Sequence, residues 1–193
     1  MRLFIAMELS PAVVAAIGGY RKQISRQSAA RDVRWTAENL LHLTLRFVGE
    51  VEDARVADVC AAAELAAGLN RTFDAALEGA GCFPGGGRVR IVWAGMSAER
   101  DRLAKLAADV ESAVVAAGVP PEPRVFSPHV TIGRVREDRS RGELRRAVQA
   151  CQPAVTSQPV SRIVVMSSTL SRAGPTYTLV SSHELGGQAK DTG

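Results

Sequence analysis

Apolar residues follow two different periods along this chain. Alternation with a period of two predicts strands, whereas apolar residues spaced three and four apart predict helices. Ser10 and Pro11 supply an N-cap and a first-turn proline, so we expect a helix that starts there and runs to about Ser25. The whole pattern predicts helices at 11–25, 53–69, 99–117 and 139–150, and strands at 2–8, 33–35, 39–48, 73–80, 89–96, 129–132, 160–170 and 176–182.

The predicted strands and helices are intermixed, and several strand pairs are joined by short turns such as 83–87 and 171–175. Parallel strands need long crossovers, so this order favours an α+β fold with largely antiparallel sheets over a doubly wound parallel sheet. One four-residue motif, described below, occurs twice, 87 residues apart, and each copy lies near a long predicted helix. This repeat suggests two lobes that face a central cleft, with helices packed outside. We expect residues 1–185 to form a single bilobal domain and 186–193 a disordered tail.

The composition is that of an ordinary globular domain, with 46% hydrophobic and 23% charged residues among 193. No apolar run reaches the roughly 18 residues of a membrane-spanning helix, and Glu8 follows too early for a secretory signal. We therefore expect a cytoplasmic protein without a membrane partner. The three cysteines are widely spaced and lack a CxxC pair, which argues against a disulfide framework or a structural zinc site.

The net charge of +4 favours a polyanionic partner. Lysine occurs only at positions 22, 105 and 190, so arginine supplies nearly all of the positive charge and suits bidentate phosphate contacts. A GC-rich genome, which enriches alanine, glycine and arginine codons, explains the same composition equally well.

Two tetrapeptides share the pattern histidine, apolar, threonine, apolar. They are His42-Leu43-Thr44-Leu45 and His129-Val130-Thr131-Ile132. The chain has only three histidines, and chance would produce such a pair on the order of 1% of the time. In a strand, histidine and threonine share one face about 6 to 7 Å apart, so both side chains can address one small anion. The third histidine, His183, has no threonine two positions on and is interpreted as a surface residue.

Two imidazoles suit a reaction in which one proton is removed and another delivered near neutral pH. Each neighbouring threonine hydroxyl can hold a phosphate oxygen. No carboxylate cluster accompanies the histidines at ligand spacing, so we expect neither a metal nor a cofactor. A single HxTx tetrapeptide would more simply be a core strand, but the pair favours acid-base catalysis.

The chain resembles the 2H phosphoesterases, named for paired HxTx or HxSx motifs, and among them the RNA 2′,3′-cyclic phosphodiesterases once described as 2′-5′ RNA ligases. The resemblance covers nearly the whole chain. It rests on both tetrapeptides and on segments in family order at 2–6, 33–35, 42–51, 83–84, 90–93, 126–134, 168–170 and 174–177. Two departures are Gly133, where the family often has alanine, and the turn Gly85-Gly86-Gly87.

The resemblance implies that His42 donates a proton to the departing ribose oxygen and that His129 activates the attacking water. It implies that Thr44 and Thr131 hold the phosphate and that the product is a 2′-phosphate. The residues alone leave open which imidazole is acid and which is base.

Further substrate contacts are predicted at four positions. Arg134 follows His129 by five residues and is interpreted either as a phosphate ligand or as a surface residue. Phe47, Trp93 and Tyr177 either stack on a base or ribose or belong to the core.

The expected partner is RNA with 2′,3′-cyclic phosphate ends or a small cyclic nucleotide. We expect a monomer with no obligatory protein partner. Two alternatives stay open: another 2H activity, namely 2′-5′ RNA ligation or cleavage or hydrolysis of small cyclic nucleotides, and a non-catalytic RNA-binding module.

Overall fold

The computed structural model describes residues 1–171 and 174–186. Within these residues, four α-helices span Pro11–Ser25 (α1), Val56–Gly68 (α2), Arg102–Ala116 (α3) and Glu143–Ala150 (α4). Nine strands span Arg2–Glu8 (β1), Val33–Trp35 (β2), His42–Glu50 (β3), Phe73–Phe83 (β4), Ile91–Ala98 (β5), His129–Val135 (β6), Thr156–Val160 (β7), Arg162–Ser171 (β8) and Gly174–Glu184 (β9). Short 3₁₀ turns occupy 28–30, 38–40, 53–55 and 99–101.

The nine strands form one curled sheet in the order β7-β4-β5-β6-β3-β1-β8-β9, with β2 also pairing with β6. Every strand pair in the described part of the chain is antiparallel, which confirms the predicted α+β class. We call β1, β3, β8 and β9 the first lobe, and β2, β4, β5, β6 and β7 the second lobe. The lobes meet at β3 and β6, which pair only through Leu43 opposite Val130.

The main hydrophobic core lies on one side of the sheet, between the strands and the four helices. Leu43, Leu45, Val130 and Ile132 belong to it and are buried, together with apolar residues from each helix. The apolar positions of both tetrapeptides therefore face the core, as the alternation predicts. We call the opposite side of the sheet the open face.

Helix α1 shows how local sequence fixes an element. Ser10 has extended backbone angles, and its Oγ accepts a hydrogen bond from the Val13 N–H at 3.4 Å, while Pro11 occupies the first turn. The buried residues of the helix are Val13, Ile17, Tyr20 and Ile24, one stripe at helical spacing. The predicted start and end of this helix are confirmed.

Some boundaries differ from the prediction. Helices α2 and α3 begin three residues later than predicted because 53–55 and 99–101 are 3₁₀ turns. Helix α4 begins at Glu143 because Arg141 and Gly142 have positive φ angles, 52° and 91°, which a helix cannot continue through. Strand β7 was missed: it contains Pro159 and lies at the sheet edge, where a proline is tolerated.

At the carboxyl end of the described chain, the Gly186 N–H donates to the Ala67 carbonyl at 3.0 Å. Gly186 is the first residue of the predicted tail 186–193, and the rest of that tail and the turn residues 172–173 lie outside the described residues. No described helix is long and apolar enough to cross a membrane.

Candidate active site

The two HxTx segments meet where the lobes join. Because Leu43 lies opposite Val130 in an antiparallel pair, the next positions along the two strands bring His42 towards Thr131 and Thr44 towards His129. All four side chains project into solvent from the open face, since their apolar neighbours face the core. The four are half-buried.

Both imidazoles are held in the same way. The Nδ1 atom of His42 lies 2.9 Å from the Leu40 carbonyl oxygen, and the Nδ1 atom of His129 lies 2.7 Å from the Ser127 carbonyl oxygen. A carbonyl only accepts, so each Nδ1 carries the proton and donates. The Nε2 atom of each ring is left to exchange a proton with a ligand.

The surroundings lower the pKa of both histidines. Burial is the largest cause at His42 and at His129, and the hydrogen bond to a carbonyl partly opposes it. The positive charge of Arg134 lowers both pKa values further, and His129 adds to the effect at His42. Both pKa values therefore fall below the ordinary value near 6.5, and the neutral imidazoles predominate at pH 7 in the free protein.

Each imidazole is packed against aromatic rings that belong to the same lobe. Phe4 and Tyr177 lie 4.9 and 5.2 Å from the ring of His42, measured between centroids. On the second lobe, the ring of His129 lies 5.0 Å from Phe83 and 6.4 Å from Trp93. The predicted residues Trp93 and Tyr177 are thus at the site. Phe4 and Phe83 were not predicted as site residues.

The strand register slips directly after each HxTx segment, and β3 has a second slip further on, at Val48. On β3, Ala6 pairs with Thr44 and Ile5 with Arg46, so Leu45 is skipped. On β6, Trp93 pairs with Thr131 and Val92 with Gly133, so Ile132 is skipped. A bulge of one residue shifts the later side chains to the opposite face.

The two bulges bring equivalent positions back to the open face. Phe47 and Arg134, each five residues after its histidine, return there, while Arg46 and Gly133 turn towards the core side. Phe47 is 49% exposed, and its ring lies 6.2 Å from Phe4. The two motif copies therefore differ at this position: the first lobe presents an aromatic ring and the second a cation.

Arg134 is exposed, yet its charge acts on both lobes. It lowers the pKa of His42 and of His129, and it opposes the rise that burial causes in the pKa of Tyr177. Arg134 is thus placed to attract an anion to the junction.

The ring of Trp93 lies against the backbone of Gly81 on the neighbouring strand. A Cβ atom at Gly81 would overlap the indole carbons, so only glycine leaves room for this ring position. The Nε1–H of Trp93 is buried, and nothing in the described part of the chain accepts its hydrogen bond.

A buried arginine that the sequence analysis missed supports the junction from the core side. Arg46 is 7% exposed; its Nε donates to Glu111 on α3, and its other nitrogens donate to the Phe47 and Pro120 carbonyls. Glu111 in turn accepts the backbone N–H of Glu122 at 2.8 Å. This network ties the strand of the first motif to the loop that leads to His129.

Two HxTx tetrapeptides lie side by side at the junction of a two-lobed antiparallel sheet. This arrangement is typical of phosphoesterases that use a pair of histidines. The family model for LigT-like phosphoesterases matches residues 8–93 and 95–177. The chain belongs to the LigT-like family of 2H phosphoesterases. No group of three or more histidine, cysteine or acidic side chains suited to a metal ion occurs among the residues described.

Curated relatives and solved structures match over most of their length. The RNA 2′,3′-cyclic phosphodiesterase of Aquifex aeolicus is 28% identical over 190 residues, 97% of this chain and 98% of that protein. The protein of the same name from Thermus thermophilus is 33% identical over 198 residues, covering 97% and 92%. The crystal structure of E. coli LigT complexed with 3′-AMP has a TM-score of 0.75 and 28% identity, covering 95% of this chain and 97% of that one.

Proposed function

We propose that the protein hydrolyses the 2′,3′-cyclic phosphate ends of RNA to 2′-phosphates without a metal ion. The observation that carries the proposal is the meeting of both histidines and both threonines at the single pair between Leu43 and Val130, with each Nδ1 committed to a carbonyl. The relatives named RNA 2′,3′-cyclic phosphodiesterase support the cyclic-phosphate part of the proposal.

The proposed step balances its protons over the two imidazoles. The neutral His129 takes a proton from water through Nε2 while the water oxygen attacks phosphorus. The bond from phosphorus to the 3′ oxygen breaks, and the imidazolium of His42 delivers its proton to that oxygen. The hydroxyls of Thr44 and Thr131 and the guanidinium of Arg134 stabilise the charge on the non-bridging oxygens.

A bound phosphate supplies the protonation state that this step needs. In the free protein, the lowered pKa values leave both rings largely neutral at pH 7. A phosphate anion between them favours the charged form of one ring, which raises its pKa. The assignment of His42 as acid and His129 as base follows the family resemblance.

The proposal is tested with protein treated with EDTA and an oligoribonucleotide that ends in a 2′,3′-cyclic phosphate. We expect hydrolysis to persist, and a need for an added divalent cation would contradict it. Hydrolysis of small cyclic nucleotides alone, or joining of 2′-5′ ends, would favour another 2H activity. Salt-sensitive RNA binding without any product would indicate a binding module.

Removing the charge of Arg134 is expected to move the pH profile. The pH profile of kcat/KM reports the pKa values of the free enzyme. In the proposed mechanism, the active form has one protonated and one neutral imidazole. Because Arg134 lowers the pKa of both histidines, we expect Arg134→Gln to shift both limbs of the profile to higher pH, besides lowering its maximum. Arg136→Gln removes an exposed charge that does not figure among the causes of either shift, and should leave the limbs in place. Limbs that stay put or move to lower pH in Arg134→Gln would contradict the electrostatic account.

A further inference from the structure

Tyr177 brings a phenol from the edge of the sheet to the place where the lobes meet. It lies on β9, the outermost strand of the first lobe, and β1 and β8 separate β9 from the strand of His42. Its ring nevertheless stands 5.2 Å from the imidazole of His42 and 5.0 Å from the ring of Phe4, measured between centroids. The curl of the sheet therefore carries this edge strand towards the junction.

Apolar packing holds the ring of Tyr177 in place. Alternation along β1 puts Phe4 and Ala6 on the open face, where they form a small cluster with Val164 apart from the main core. These three side chains are 3% exposed or less, and Met166 and Tyr177 pack against them. Since the ring is held by the protein's own side chains, the hydroxyl is the part of Tyr177 that a ligand can use.

The hydroxyl of Tyr177 makes no hydrogen bond with any residue in the described part of the chain, although the side chain is half-buried. The other tyrosine, Tyr20, is buried, and its hydroxyl donates to the Val148 carbonyl at 2.9 Å. Tyrosine hydroxyls that leave bulk water usually find such a partner. Tyr177 therefore keeps a donor at the junction that the described residues do not use.

The electrostatic surroundings of this hydroxyl suit an anionic ligand. Burial raises the pKa of Tyr177, and the positive charges of Arg134 on β6 and Arg2 on β1 partly oppose the rise. The pKa stays above its ordinary value near 10, so the phenol keeps its proton at neutral pH. A neutral donor that stands near a cation from each lobe is suited to the oxygen of a phosphate.

We propose that the hydroxyl of Tyr177 donates a hydrogen bond to a non-bridging oxygen of the reacting phosphate, on the His42 side of the junction. In the mechanism given above, the phosphate lies between the two imidazoles, and Tyr177 stands against one of them. This role differs from stacking on a base, since the hydroxyl rather than the ring face contacts the substrate. The proposal rests on the function proposed above, and it makes Tyr177 a further catalytic residue.

The test measures kcat/KM for an oligoribonucleotide that ends in a 2′,3′-cyclic phosphate and for its two phosphorothioate diastereomers, in which sulfur replaces one or the other non-bridging oxygen. Tyr177→Phe removes only the hydroxyl and keeps the ring against His42 and Phe4. We expect this variant to lower kcat/KM for the all-oxygen substrate about tenfold, the scale of one hydrogen bond to a charged group. The same loss should appear with one diastereomer and fall below about twofold with the other, because sulfur is a weak hydrogen-bond acceptor.

Tyr20→Phe provides the matched control. It removes the hydroxyl that bonds to the Val148 carbonyl, so it should lower the temperature of thermal unfolding but leave kcat/KM for every substrate at the wild-type value. An unchanged kcat/KM for the all-oxygen substrate in Tyr177→Phe, or equal losses with both diastereomers, would overturn the proposal. A wild-type protein that hydrolyses no 2′,3′-cyclic phosphate would instead overturn the proposed function.

Discussion

Alanine at His42 or at His129 is expected to lower the turnover of an RNA 2′,3′-cyclic phosphate by about 10²- to 10⁴-fold, the usual contribution of one positioned proton transfer. Each ring makes one hydrogen bond to a nearby carbonyl and stands at the rim of the core rather than within it. The fold should therefore survive both substitutions. Turnover is measured at saturating substrate, and folding by circular dichroism and thermal unfolding.

The third histidine provides the matched control. His183 lies on β9, where it pairs with Ile163 on β8, and its Nε2 atom lies 2.8 Å from the Ser181 Oγ. His183→Ala should keep wild-type turnover. Wild-type turnover in either His42→Ala or His129→Ala would remove the basis for acid-base catalysis by this pair. A loss in His183→Ala as large as theirs would point to a general effect of histidine removal.

Arg46→Met is expected to lower the free energy of unfolding by about 3 kcal/mol. Arg46 is buried, and the substitution leaves Glu111 and the Phe47 and Pro120 carbonyls without their donor. Glu111 is half-buried, so the substitution leaves one partly desolvated charge and two carbonyl acceptors without compensation. Urea unfolding measures the change. The same variant should lower kcat, since the network holds the loop that precedes His129.

A second arginine, in the loop that precedes His129, shows whether the loss of stability comes from the buried contacts of Arg46 or merely from the loss of one positive charge. Arg124 is exposed and bonds to Glu122, so Arg124→Met should cost less than about 1 kcal/mol. The double variant Arg46→Met with Glu111→Leu should recover part of the loss, because no lone charge remains. Equal destabilisation by Arg46→Met and Arg124→Met would contradict the buried network.

The two strands that contain the HxTx tetrapeptides are predicted well from the sequence. The side chains that surround the two histidines are predicted less well. The apolar residues of both tetrapeptides alternate strictly, so the placement of His42, Thr44, His129 and Thr131 on one face is readable from period alone. That the two segments lie side by side is not readable, because it depends on the pairing of Leu43 with Val130 across 87 residues. The predicted roles of these residues stay predictions.

The bulge in β3 explains why the buried role of Arg46 could not be predicted. Uninterrupted alternation places Arg46 on the same face as Thr44, but the skipped Leu45 turns it to the core side, where Glu111 neutralises it. A bulge is fixed by the partner strand, and nothing local in the sequence marks it. Phe4 and Phe83 escaped prediction for a related reason, since only the assembled sheet brings them to the histidines.

The two HxTx motifs are almost identical in sequence, but the structure shows that their surroundings on the open face differ. Phe47 and Arg134 occupy equivalent positions after the bulges, so one lobe offers an aromatic ring and the other a positive charge. The proposed substrate, which has a base attached to the ribose that carries its phosphate, offers a ring and an anion to such a surface. The proposed acid and base roles require an asymmetry of this kind.

The position of the phosphate in the product tests the central claim most directly. A defined oligoribonucleotide with a 2′,3′-cyclic phosphate end is incubated with the EDTA-treated protein in ¹⁸O-labelled water, and the product is analysed by ³¹P NMR and mass spectrometry. We predict a 2′-phosphate that carries one ¹⁸O atom, because water attacks phosphorus and the 3′ oxygen leaves. A 3′-phosphate product, or no hydrolysis until a divalent metal ion is added, would contradict the account.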